Sequence, residues 1–486
     1  MISSEKQRQA GVLLHISSLP MGVLGRHAYQ FIDFLHEVGA KVWQTLPLNM
    51  THADGSPYQC LSAHAGNPAF ISMHKLAEEN LLSKADFEIY LANQSLELKL
   101  KLIEKIFITQ SKPPKSAEYL AFKKFCHKHA NWLDDFALFL LLRKQFEGAS
   151  WNHWPQVYKK RNVKALNQIK KLYQDEVDVI KFTQYLFFQQ WATLKKYANA
   201  KGVAMFGDIP IFVAYDSADV WANPNLFKLD RRCNMKVVAG VPPDYFSQTG
   251  QRWGNPHYNW RAMKADGYQW WLARMATQNN MFDMVRIDHF RGLQAAWEIP
   301  ANEDTAINGK WKRAPGAALL TAIKQRLPKM CLVAEDLGII TPQVNALREK
   351  FKLPGMKILQ FAFGGGDDNY YLPANIAADS VVYTGTHDND TSLGWYHTLE
   401  THTKAHLHRV LENDAPNIPL DLVKMALNTQ ASLAIIPMQD VLELDGKHRM
   451  NTPGTMQHNW VWHFDWPQLT SKLKAQFAQA IRQSLR

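Results

Sequence analysis

The chain has 486 residues, 46% hydrophobic and 20% charged, a balance that excludes disordered and fibrous proteins and fits a soluble globular one. A net charge of +11 raises nucleic acid as a partner, but the basic residues are dispersed, densest at Lys159-Lys160-Arg161 with Lys164, at Lys170-Lys171 and at Arg231-Arg232, and read as solvated surface. No apolar run has the length of a membrane span, Met1 to Ala10 carries no secretory pattern, and Cys60, Cys126, Cys233 and Cys331 form no CxxC pair; a cytoplasmic protein with reduced thiols is the expectation.

Along the chain, 11–16 and 41–47 read as short apolar strands, with a helical pattern over 28–38 between them and Gly39 as its C-cap. The stretch 70–195 is rich in Lys, Leu, Glu and Phe at helical spacing and reads as a mostly helical insertion before a third strand at 202–208. Residues 210–281 read as a second insertion with cleft loops, including a lid candidate at 241–260. Further strands follow at 282–288, 331–335, 356–363, 381–386 and 432–438, and 449–463 is a second lid candidate. Eight apolar strands separated by helix-length patterns predict an α/β fold, a single (β/α)8 TIM barrel over 1–486 with helical insertions in its βα loops. A doubly wound sheet would want a glycine-rich phosphate fingerprint after its first strand. Gly22-Val23-Leu24-Gly25 lacks that spacing and Gly364-Gly365-Gly366 opens no helix with Lys-Ser/Thr, so no nucleotide cofactor is expected.

Four apolar runs end on acids, at Asp208, Asp288, Glu335 and Asp388. A buried strand favours apolar residues along its length, so acids at successive strand ends gather carboxylates at one mouth. A helix cap explains any single one, but a cap needs neither Arg286 two residues before Asp288 nor His387 directly ahead of Asp388. Period-2 alternation puts Arg286 and Asp288 on one strand face, where the guanidinium would hold the carboxylate ionised. Clustered acids serve hard-metal binding or glycosidic bond chemistry. Metal loops carry D-x-D-x-D runs, and this chain offers only Asp367-Asp368 and Asp388-Asn389-Asp390, which leaves metal the weaker alternative and glycosidic chemistry the stronger. Among the sixteen tryptophans, Trp253, Trp460 and Trp462 lie outside periodic apolar stretches and serve either as packing anchors or as platforms for sugar faces.

The segments Arg286-Ile287-Asp288-His289, Ala334-Glu335-Asp336-Leu337-Gly338 and Thr386-His387-Asp388-Asn389 resemble the catalytic strand ends of the α-amylase superfamily. Ser56-Pro57-Tyr58-Gln59, Gly207-Asp208-Ile209-Pro210, Gly250-Gln251-Arg252-Trp253-Gly254-Asn255-Pro256 and Arg449-Met450-Asn451-Thr452-Pro453-Gly454-Thr455 narrow the resemblance to glycoside hydrolase family 77, the 4-α-glucanotransferases. It implies transfer of α-1,4-glucan segments between malto-oligosaccharides, with Asp288 as nucleophile, Glu335 as general acid/base and Asp388 as the third acid. Tyr58, Asp208, Trp253, Asn255, Pro256, Arg286, His289, His387, Asn459 and Trp460 are implied substrate-binding positions. No metal or other cofactor is implied, and neither nucleic acid nor membrane is an implied partner. Three positions depart from the family's pattern: His64 replaces a more usual Phe, and His458 and His463 stand where Gly and Arg are usual. A hydrolase of the same superfamily and an inactive glucan-binding protein are the rival readings.

Overall fold

The computed structural model describes residues 8–112, 115–243, 247–455 and 457–486. Eight short parallel strands form the central sheet: β1 (Gln9–Leu13), β2 (Val42–Gln44), β3 (Ala204–Pro210), β4 (Met284–Asp288), β5 (Cys331–Ala334), β6 (Gly355–Ile358), β7 (Ser380–Tyr383) and β8 (Leu433–Pro437). Each pairs with its neighbour in chain order except β5 with β6, and β8 pairs back onto β1. Across the remaining seam, between β5 and β6, the amide of Ala334 donates to Pro354 at 2.9 Å. The sheet is thus a nearly closed (β/α)8 barrel.

Strands enclosed on both faces must be apolar throughout, and Ser380–Tyr383 and Leu433–Pro437 are buried at every residue. The barrel is tight enough that a side chain at Gly11 would lie 2.6 Å from Ile435 and 2.7 Å from Val42. Between β1 and β2 the helix Arg26–Val38 ends at Gly39, whose φ of +88° supplies the left-handed cap. Helices fill the chain from Met73 to Ala200, the longest being Gln174–Ala200. No helix among the described residues is long and apolar enough to cross a membrane.

Two expectations about local structure need correction. The sixth strand stops at Ile358 rather than 363, because the chain bends into a 3-10 turn over Leu359–Phe361. The segment around Trp253 is not a loop: Gln251–Pro256 pairs antiparallel with Val237–Val241, which pairs with Ala295–Pro300, which pairs with Lys310–Arg313. Two strands of this accessory sheet come from the chain between β3 and β4, and the other two follow β4, from which the chain re-enters the sheet through the turn Phe290–Leu293.

Candidate active site

Asp288 is the last residue of β4 and Glu335 follows β5 directly, while Asp208 lies inside β3, opposite Arg286 in the ladder. Asp388 comes five residues beyond β7, held by a turn in which Thr386 donates its amide and hydroxyl to Asn389, both at 2.9 Å. The pairing of Ile287 with Ala334 brings Asp288 and Glu335 to neighbouring strand ends. The next residue, His289, has φ of +52°, costly for a non-glycine residue, and its amide donates to Glu335 Oε2 at 2.6 Å. Leu337 donates to Oε1 at 2.9 Å. Both oxygens of Glu335 are therefore fixed by backbone, beside the residue that follows Asp288.

Arg286 ties the acids together. Its Nη2 reaches Asp208 Oδ2 at 2.7 Å, Asp288 Oδ1 at 2.9 Å and the Tyr58 hydroxyl at 3.1 Å. Tyr58 donates to Asp208 at 2.7 Å and lies 2.9 Å from His387 Nε2, which is itself 3.3 Å from Asp388 Oδ2. Since the one phenolic proton goes to Asp208, His387 Nε2 is the donor toward Tyr58. Asn451 donates to Asp388 Oδ1 at 2.6 Å and Arg449 to the Asp388 carbonyl at 3.1 Å.

Burial pushes the Glu335 carboxyl up to about 7, against the pull of Arg286 and the two backbone amides. The charge of Asp336 adds a smaller upward push. Burial also raises Asp288 well above the usual carboxylate range, with Arg286 opposing and Asp208, Glu335 and Asp388 reinforcing. Asp288 and Glu335 thus compete to retain a proton, and only Asp288 is bonded directly to a guanidinium. For Asp388 burial acts upward too, but His387 and Asn451 outweigh it and hold the carboxyl below its usual range. Loss of water around the half-buried His289, with Arg291 nearby, lowers its ring to about 3, so it stays neutral. Among the described residues no group of three or more His, Cys, Asp or Glu is arranged to hold a metal ion.

The other implied positions fall into two sets. Tyr58 stacks on His387 at 5.3 Å, Trp460 lies 5.9 Å from Tyr58 and 6.0 Å from His387, and Trp253 meets His289 edge-on at 4.8 Å. These rings line the mouth. Asn255 and Pro256 are buried, and the Asn255 amide is committed to Val213 and Gln59. Asn459 closes its own loop, accepting from Thr452 and donating to Thr455. Sequence reading missed the grip of Asn451 and Arg449 on Asp388; both lie in a motif it had singled out as lid.

The model of the 4-alpha-glucanotransferase family matches residues 13–469. The chain belongs to this family. The 4-alpha-glucanotransferase of Thermus thermophilus is 46% identical over 474 residues, covering 94% of this chain and 95% of the relative. That of Streptococcus pneumoniae is 42% identical over 487 residues, covering 96% and 95%. The solved structure of the amylomaltase from Streptococcus agalactiae in complex with acarbose superposes with a TM-score of 0.94 at 35% identity, covering 99% of this chain and all of the other.

Against the family pattern, His64 proves to be core: it stacks on Trp132 at 5.6 Å and bonds Thr277 at 2.9 Å. His458 has φ of +62°, which explains why a glycine suits that position and makes histidine a strained choice. His463 is exposed beside the buried Trp462.

Proposed function

We propose that the chain moves an α-1,4-glucan segment from a donor malto-oligosaccharide to the 4-hydroxyl of an acceptor sugar, through a covalent glycosyl-enzyme on Asp288. The observation that carries this reading is the shared base of the site, where Arg286 joins Asp208 and Asp288 while Glu335 faces the turn after Asp288. Asp288 attacks the anomeric carbon as Glu335 gives its proton to the glycosidic oxygen, so the C–O bond breaks as the ester forms. The Asp288 charge is then consumed, the repulsion between the two carboxyls ends, and the deprotonated Glu335 serves as base. The acceptor hydroxyl attacks the same carbon, passes its proton to Glu335 and releases Asp288. Two inversions return the α-configuration.

Asp388, kept ionised by His387 and Asn451, is suited to binding hydroxyls of the reacting ring. Tyr58, Trp253 and Trp460 offer apolar ring surface that shields the ester from water and receives sugar faces. Incubation of the protein with maltotriose tests the reading: glucose together with a ladder of longer chains is expected, whereas only shorter products would make it a hydrolase and no change would make it a binding protein.

A further inference from the structure

Beyond Glu335 stands an aromatic cluster with no role in the reaction described so far. Asp336, the residue after Glu335, accepts from the amide of Met356 in β6 at 2.7 Å. The next residue of that strand, Lys357, holds its ammonium 5.0 Å from the ring centre of Tyr370 and 5.8 Å from that of Tyr371. The two tyrosine rings lie 4.2 Å apart at a tilt of 35°, and Tyr370 donates its hydroxyl to that of Tyr371 at 3.0 Å. Tyr371 is buried, packs edge-on against Phe361 at 5.5 Å and feels the charges of Asp336 and Glu335. Asn369 pins the turn, donating to the carbonyls of Phe361 and Ala362 and accepting from the amide of Tyr371, each at 2.9 Å.

Tyr370 is nevertheless 49% exposed. A half-exposed tyrosine would ordinarily sample several rotamers; this one is fixed by a hydroxyl bond, a ring contact and a nearby cation. An aromatic ring so immobilised loses little entropy on stacking with a ligand, which is what a sugar platform requires. Its position decides which sugar. Glu335 is the group that meets the glycosidic oxygen, so the chain on its far side is the leaving portion of the donor and, in the second displacement, the acceptor.

We infer that Tyr370 is an acceptor platform: its open ring surface stacks on the accepting glucan beyond Glu335 and favours capture of the glycosyl-enzyme by sugar over capture by water. The inference rests on the transfer reading above. Hydroxyl and ring have separable duties, the hydroxyl tying Tyr370 to Tyr371 and the ring meeting substrate.

The test uses α-maltotriosyl fluoride as donor, because fluoride departs without occupying the acceptor side. For Tyr370→Ala, fluoride release at limiting donor is expected to match wild type within about twofold, while the glucose or maltose concentration giving half-maximal transfer rises about three- to tenfold, the scale of one aromatic contact. The share of donor lost to hydrolysis rises with it. Tyr370→Phe keeps the ring and is expected to keep near-wild-type acceptor dependence. Unchanged acceptor dependence in Tyr370→Ala would overturn the platform, and equal impairment of Tyr370→Phe would replace it with a structural role for the hydroxyl. If wild type releases fluoride but elongates no added sugar, the transfer reading fails and takes this inference with it.

Discussion

Glu335 carries an acid whose proton is stabilised mainly by dryness, and that origin fixes the sign of its pH dependence. Folding raises its pKa from 4.5 to about 7, so the folded chain binds this proton more tightly than the unfolded one. The associated stability is present below the unfolded value and is lost as pH rises through the folded one. Activity follows the same limb, since the proposed first displacement needs the protonated form. For the free enzyme, kcat/KM toward malto-oligosaccharides is expected to fall as pH climbs through about 7, whereas fluoride release from a glycosyl fluoride, which needs no proton, is expected to lack that limb. Matching limbs for both donors would remove Glu335 from the role of acid. That these acids would meet was legible here because acids are out of place at the ends of apolar runs. The partners of those acids were less so. The contact of Asn451 with Asp388 spans 63 positions, and nothing local to either residue announces it.

At the scale of elements, the barrel strands were readable because burial on both faces leaves a nearly continuous apolar signature. The accessory sheet gave no such signal. Lys310-Trp311-Lys312-Arg313 is exposed at all four residues, and Gln251–Pro256 contains Gly254, Asn255 and Pro256, which disfavour strands. Neighbours rather than local propensity hold these segments extended. Strand β3 shows how strictly an element can depend on one residue. A side chain on Gly207 would come 2.3 Å from the ring of Phe282, a buried residue packed against Trp191 at 5.3 Å. Gly207→Ala is therefore expected to destabilise the fold by about 1–3 kcal/mol, as overpacked cores do, read as a lower urea midpoint. Adding Phe282→Leu should recover part of that loss; a double variant less stable than the single would show that the ring is not the obstacle.

Over the whole molecule, barrel closure is what turns four scattered acids into one site. Asp208, Asp288, Glu335 and Asp388 sit on or just after β3, β4, β5 and β7, and a twisted open sheet would have splayed the corresponding ends apart. Composition carried little of this: the net charge of +11 invited a nucleic-acid reading that the arrangement of the acids does nothing to support. The helical chain between β2 and β3 and the accessory sheet, whose strands come from both sides of β4 in the chain, leave the eight-strand order intact, which is why the count of strands survived errors in their boundaries. The account depends most on Asp288 forming a bond to the sugar. Replacing Glu335 with Gln should slow the second displacement, so that this variant, mixed with α-maltotriosyl fluoride, quenched in acid, digested and weighed by mass spectrometry, accumulates the glycosyl-enzyme. The predicted result is one maltotriosyl unit on the peptide containing Asp288. A label on the peptide of Asp208 or Asp388, or fluoride release with a β-configured product and no adduct, would contradict it.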